Sequence, residues 1–106
     1  MNNFAKLIVP GIALLMTGYA LAETPVAVAK FTCQGGKTID ATFFASSVDL
    51  KLSDGRSMQL PQAMSASGAR YANKDETFVF WNKGNTAFIT EGAGEGKETY
   101  SGCATK

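Results

Sequence analysis

Val48-Asp49-Leu50-Lys51-Leu52-Ser53-Asp54-Gly55-Arg56-Ser57-Met58-Gln59-Leu60 reads as a β-hairpin. Val48, Leu50 and Leu52 alternate with Asp49 and Lys51, so an extended backbone carries one apolar and one charged face. A helical backbone would scatter the same residues around its circumference. Asp54-Gly55 has the chemistry of a tight hairpin turn, and Ser57-Met58-Gln59-Leu60 is the return strand. Pro61 has no N–H to donate and is expected to end the pairing.

The same reading extends in both directions. Upstream, residues 26–33 are β-compatible, Gln34-Gly35-Gly36-Lys37 marks a turn, and 38–44 form a second strand. The Phe43-Phe44 pair interrupts the alternation of that strand. Downstream, small residues at 64–68 form a loop, followed by short strands at 69–73, 77–81, 86–90 and 98–103. Between them lie a polar turn at 73–76, a turn at Asn82-Lys83-Gly84-Asn85, and a loop with Gly92, Gly94 and Gly96. Within 77–81, Phe78 and Phe80 share one face, and Val79 and Trp81 the other. One set is core; the other is covered by a neighbouring strand or by an oligomer contact such as that of a homodimer. Strands this short and evenly spaced, with no helical periodicity among them, predict an all-β single domain, either a sandwich or a small barrel.

Residues 1–22 read differently. Lys6 supplies a positive n-region, 7–16 an apolar stretch, and Ala20-Leu21-Ala22 a cleavage site before Glu23, the pattern of a secretory signal peptide. The apolar stretch holds Pro10 and Gly11 and falls short of the roughly 20 residues that span a bilayer. No cysteine stands at the cleavage point, so the expected product is an exported domain, 23–106, with no stable membrane anchor. Loss of Lys6 takes the formal charge from +1 to zero, and nucleic acid and anionic membranes become poor partners. So small a domain benefits from a covalent staple, and export permits one. Cys33 and Cys103, near its two ends, are expected to pair as a disulfide rather than remain free thiols, at a gain of about 4 kcal/mol.

Catalysis has little to stand on. The chain of 106 residues has no histidine, and its serines lack the Gly-x-Ser-x-Gly elbow. Its carboxylates are spread over turns and solvated faces, and Gly92-Ala93-Gly94-Glu95-Gly96 does not open a helix as a phosphate loop must. Two cysteines without histidine argue against a zinc site, and no catalytic residue, metal or cofactor is assigned. Binding is the expected activity.

Two runs offer something to bind with. Ser65-Ala66-Ser67-Gly68-Ala69-Arg70-Tyr71 suits a projecting loop, and Phe78-Val79-Phe80-Trp81-Asn82-Lys83-Gly84 a strand ending in a turn. Taken alone, Ser67 reads as a loop residue capping local backbone, and Lys83 as a solvated turn lysine. Together, in this order and between the two cysteines, the runs resemble the bacterial inhibitors of C-type lysozyme, whose members are membrane-bound lipoproteins (MliC) or periplasmic (PliC). Ser67-Gly68-Ala69-Arg70-Tyr71 fits that family's Ser-Gly-x-x-Tyr motif. Phe78 to Gly84 fits its Tyr-x-x-x-Thr-Lys-Gly motif with Phe78 for Tyr and Asn82 for Thr. Lacking a lipoprotein cysteine, the chain resembles the periplasmic branch.

The resemblance implies an antiparallel β-barrel, a periplasmic location and C-type lysozyme as partner. It implies that Ser67 and Lys83 enter the lysozyme cleft and block its catalytic carboxyl groups. Gly68, Arg70, Tyr71 and Gly84 complete the target-binding set. Read from the residues alone, without the resemblance, the glycines only grant positive φ, Arg70 pairs with Asp75 or Glu76 across the hairpin rather than touching a partner, and Tyr71 buttresses the loop. The rival readings are a barrel carrying a small apolar molecule and an envelope module that binds another bacterial protein.

Overall fold

A computed structural model describes residues 23–105; the expected signal peptide lies outside the described residues. Eight strands follow one another: β1 (Ala27–Thr32), β2 (Thr38–Phe43), β3 (Ser47–Leu52), β4 (Ser57–Ala63), β5 (Ala69–Ala72), β6 (Phe78–Lys83), β7 (Thr86–Glu91) and β8 (Lys97–Ala104). Each pairs antiparallel with the next, and β8 returns to β1, giving a closed up-and-down barrel. Of the two architectures left open by strand spacing, the barrel is the one formed.

The alternation at 48–52 is met as expected. Val48, Leu50 and Leu52 are buried while Lys51 faces water, and β3 pairs with β4 from Ser47↔Pro61 to Lys51↔Ser57. The Gly55 N–H donates to the Leu52 carbonyl at 3.0 Å and closes the turn. The centre of the barrel is filled with rings. Phe80 lies 6.0 Å from Phe31, 6.3 Å from Phe43 and 6.1 Å from Tyr71. Ile39, Ile89 and Tyr100 are buried with them. Each such aliphatic or phenyl side chain contributes about 1.5–3 kcal/mol by leaving water.

Three local expectations are corrected. Pro61 does not end β4, which continues to Ala63. The Gln62 N–H donates to the Ser46 carbonyl, so strand alternation turns the Pro61 nitrogen to the opposite edge, where pairing with β5 begins only at Gln62. No donor is needed there. Asn82 and Lys83 are not turn residues but the last two of β6, and Lys83 pairs with Thr86 around a two-residue turn, Gly84-Asn85. Phe44 lies beyond β2, so the Phe43-Phe44 irregularity marks the strand's end. As for the two faces of β6, Phe80 is in the core, while Val79 is only 6 % exposed within the chain itself.

The β1–β8 seam is the thinnest part of the wall. One pair, Thr32↔Ala104, joins the two strands. Immediately beyond it the Cys33–Cys103 disulfide bridges them, and the Lys37 ammonium donates to the Thr99 carbonyl at 2.6 Å. Elsewhere, Arg56 ties the β3–β4 turn to β7. Its Nε donates to Asp54 at 2.9 Å, and its two terminal nitrogens to Glu91 at 2.9 and 3.0 Å. Thr99 adds a 2.6 Å bond to the same Glu91 carboxylate. The Arg56 guanidinium also stands 5.5 Å from the centre of the Phe78 ring.

Candidate functional site

Ser67 and Lys83 are separated by a strand and a loop in sequence, and the barrel brings them together. Ser67 is the last residue but one of the 64–68 loop that leads into β5; Lys83 ends β6, the strand paired with β5. The register places Ala69 opposite Asn82, so the residues just before Ala69 lie beside those just after Asn82. Both side chains are exposed, and both line one hollow of about 250 Å³ together with Trp81, Thr86, Ala87 and Phe88. Among the described residues, neither the Ser67 hydroxyl nor the Lys83 ammonium has a hydrogen-bond or ion-pair partner.

The surrounding residues hold this pair in place. Gly68 has φ +72° and sits hard against β6: a Cβ on it would lie 2.9 Å from the Asn82 carbonyl oxygen and 3.4 Å from Lys83 Cβ and Cγ. The Ser65 hydroxyl donates to the Ser67 carbonyl at 2.6 Å, folding the loop on itself. At the other side, Gly84 takes φ +59° at the first position of the two-residue turn, a conformation that suits glycine. The Asn82 amide donates to the Gly84 and Thr86 carbonyls, both at 3.1 Å, and the Thr86 hydroxyl to the Lys83 carbonyl at 3.0 Å. Lys83 therefore projects from a strand end braced by the turn that follows it.

Arg70 and Tyr71 point elsewhere. The Arg70 guanidinium meets Glu76 at 2.6 Å and stands 5.6 Å from the centre of the Trp81 ring. Glu76 is thus the partner among the two acids expected, and it adopts φ +59° in the β5–β6 turn. Tyr71 is turned inward, 5 % exposed, 5.9 Å from Phe43, and burial pushes its phenol above the usual range. Its ring packs in the core against Phe43 and Phe80. Phe78, at the position where the family motif carries Tyr, is buried at 8 % exposure.

Trp81, Thr86 and Phe88 are not in the target-binding set that the sequence suggests, yet they line the hollow. The signal was present: residues two apart on paired strands share a face, so Trp81 goes with Lys83 and Phe88 with Thr86. No group of metal-ligating side chains occurs among the described residues.

Comparison with known proteins bears on the same region. A family model described as membrane-bound lysozyme-inhibitor of c-type lysozyme (MliC) matches residues 31–98, a span that contains both Ser67 and Lys83. A relative from Yersinia enterocolitica, the membrane-bound lysozyme inhibitor of C-type lysozyme, is 39 % identical over 77 residues. The match covers 72 % of this chain and 63 % of the relative, so the chain aligns with less than two thirds of that protein's length. No solved structure matches. The family is one of inhibitors rather than enzymes. With a model match over most of its barrel, the chain belongs to the MliC family.

Proposed function

We propose that this protein inhibits C-type lysozyme in the bacterial envelope by seating Ser67 and Lys83 in the enzyme's cleft. The observation that carries the reading is that these two exposed side chains line one hollow at the tip of paired strands, with their donors directed to no group among the described residues. A lysozyme of this type works with two carboxyl groups, one kept protonated as general acid and one ionised. The Lys83 ammonium pairs with the ionised carboxylate. The Ser67 hydroxyl bonds the acid, and the added positive charge disfavours the proton that the acid must keep. Insertion also excludes the polysaccharide. No bond is made or broken in the inhibitor.

Export to the periplasm without a lipid anchor is part of the proposal. It is supported by Ala20-Leu21-Ala22 and by the engagement of the first cysteine, Cys33, in a disulfide, which leaves its sulfur no site for a lipid. The carrier reading is the weaker one, because the middle of the barrel holds Phe31, Phe43, Tyr71 and Phe80 rather than a chamber. A cell-wall turbidity assay with a purified C-type lysozyme is the test. The protein is expected to slow clearing, and Lys83→Ala to do so far less; unimpeded clearing with the wild-type protein overturns the reading.

A further inference from the structure

The outer face of a small barrel in water ordinarily carries polar side chains. Here Trp81 on β6 and Phe88 on β7, directly paired, both stand half-buried beside the hollow. Their rings stack with centroids 5.9 Å apart and planes inclined by 17°. On the other neighbouring strand, Arg70 pairs with Trp81 and lays its guanidinium 5.6 Å from the ring centre, while Glu76 holds Arg70. An Arg–Trp–Phe ladder thus crosses three strands. Side chains fixed in this way lose little freedom when a partner arrives.

Trp81 and Phe88 of this ladder form one wall of the hollow, with Lys83, Thr86, Ala87 and Ser67 around the rest. At about 250 Å³ the space is below the roughly 300–1,000 Å³ of a small-molecule site and suits a single inserted side chain. Stacking on a sugar ring would need an open indole face, but Trp81 is flanked by Arg70 and Phe88. A partner resting on Ser67 and Lys83 must also cover this hollow, because the same two residues line it.

We propose that the Trp81–Phe88 hollow receives one apolar side chain of the lysozyme, from the surface bordering its cleft, and is a second anchor of the complex. This rests on the lysozyme reading above. It divides the interface into a polar contact at Lys83 and an apolar one beside it, the arrangement in which a few sheltered aromatic residues dominate affinity.

Trp81 is the one tryptophan of the chain, so protein labelled with 5-fluorotryptophan gives a single ¹⁹F resonance. That resonance is expected to shift when a purified C-type lysozyme is added, and to stay in place when muropeptides are added alone. Phe88→Ala is expected to bind lysozyme about tenfold or more weakly, through faster dissociation, with Phe88→Leu recovering most of the loss. Wild-type binding with an unmoved resonance, or with undiminished affinity in a folded Phe88→Ala, overturns this inference and leaves the lysozyme reading standing. A shift with muropeptides and none with lysozyme overturns it in favour of a glycan site. Absence of wild-type binding overturns both.

Discussion

Gly68, just before β5, stands so close to Lys83 at the end of β6 that a methyl group added to it would meet the Lys83 stem at 3.4 Å and the Asn82 carbonyl at 2.9 Å. The second distance is to backbone, which cannot swing aside, and φ at Gly68 is +72°. Gly68→Ala should therefore cost about 1 kcal/mol or more in stability and lift the loop away from Lys83. Inhibition of lysozyme is expected to fall further than stability alone explains, measured as potency on protein shown to be folded by circular dichroism. Unchanged potency would show that the loop and β6 act independently.

Lys83 and Ser67 differ in what their removal leaves behind. On the proposed docking, Lys83→Ala would leave an enzyme carboxylate buried without a partner, at about 2–5 kcal/mol of binding free energy. Ser67→Ala removes a neutral hydroxyl and should cost about 1–3 kcal/mol. Calorimetric titration of each variant with lysozyme checks both the values and their order. Because both side chains are exposed and unbonded among the described residues, melting temperatures should stay near that of the wild type.

How far these residues could be read in advance depended on the kind of information each needed. The 48–60 hairpin was legible because a period of two is written locally, in Val48, Leu50 and Leu52. Pro61 was misjudged because the harm done by a missing N–H depends on which edge it faces, and that is a property of the neighbouring strands. Lys83 was placed in the turn because its register with Thr86 decides where β6 stops. Which face of 78–81 is core stays open in the sequence because both sets are apolar; Phe78, Val79 and Phe80 are all buried and Trp81 half-buried, so composition does not tell inward from outward along that stretch. The pairing of Ser67 with Lys83 came from motif resemblance, whereas their shared hollow came from the β5–β6 register.

The disulfide carries unusual weight because the strands it joins share one residue pair, Thr32↔Ala104. It closes a sequence separation of 70 residues. Cys33→Ala with Cys103→Ala should lower stability by about 2–5 kcal/mol and reduce the urea midpoint accordingly. Hydrogen exchange should quicken first in β1 and β8. Thr86 and Ala87 of the hollow pair with Ala104 and Cys103 at that seam, yet Ser67 and Lys83 are brought together by the β5–β6 register, so at room temperature the folded fraction should still inhibit. A loss of inhibition in protein that remains folded would contradict this.

The Arg56 cluster predicts a specific response to acid. The Arg56 side chain, hydrogen-bonded to both carboxylates, holds Asp54 down at about 2 and Glu91 below the usual carboxylate range. In the unfolded chain both return to about 4. The stabilisation is therefore complete above pH 4 or so and is lost as pH falls towards 2, since the unfolded state takes up protons first. Water screens the contact, with 43 % of the Arg56 and 42 % of the Asp54 side chain exposed, so the effect on melting should be a few degrees. Arg56→Gln should melt below the wild type near neutral pH, and the gap should close as acid protonates the carboxylates of both proteins. A gap that persists undiminished at about pH 2 would mean that Arg56 contributes through its packing over Phe78 and not through its charge.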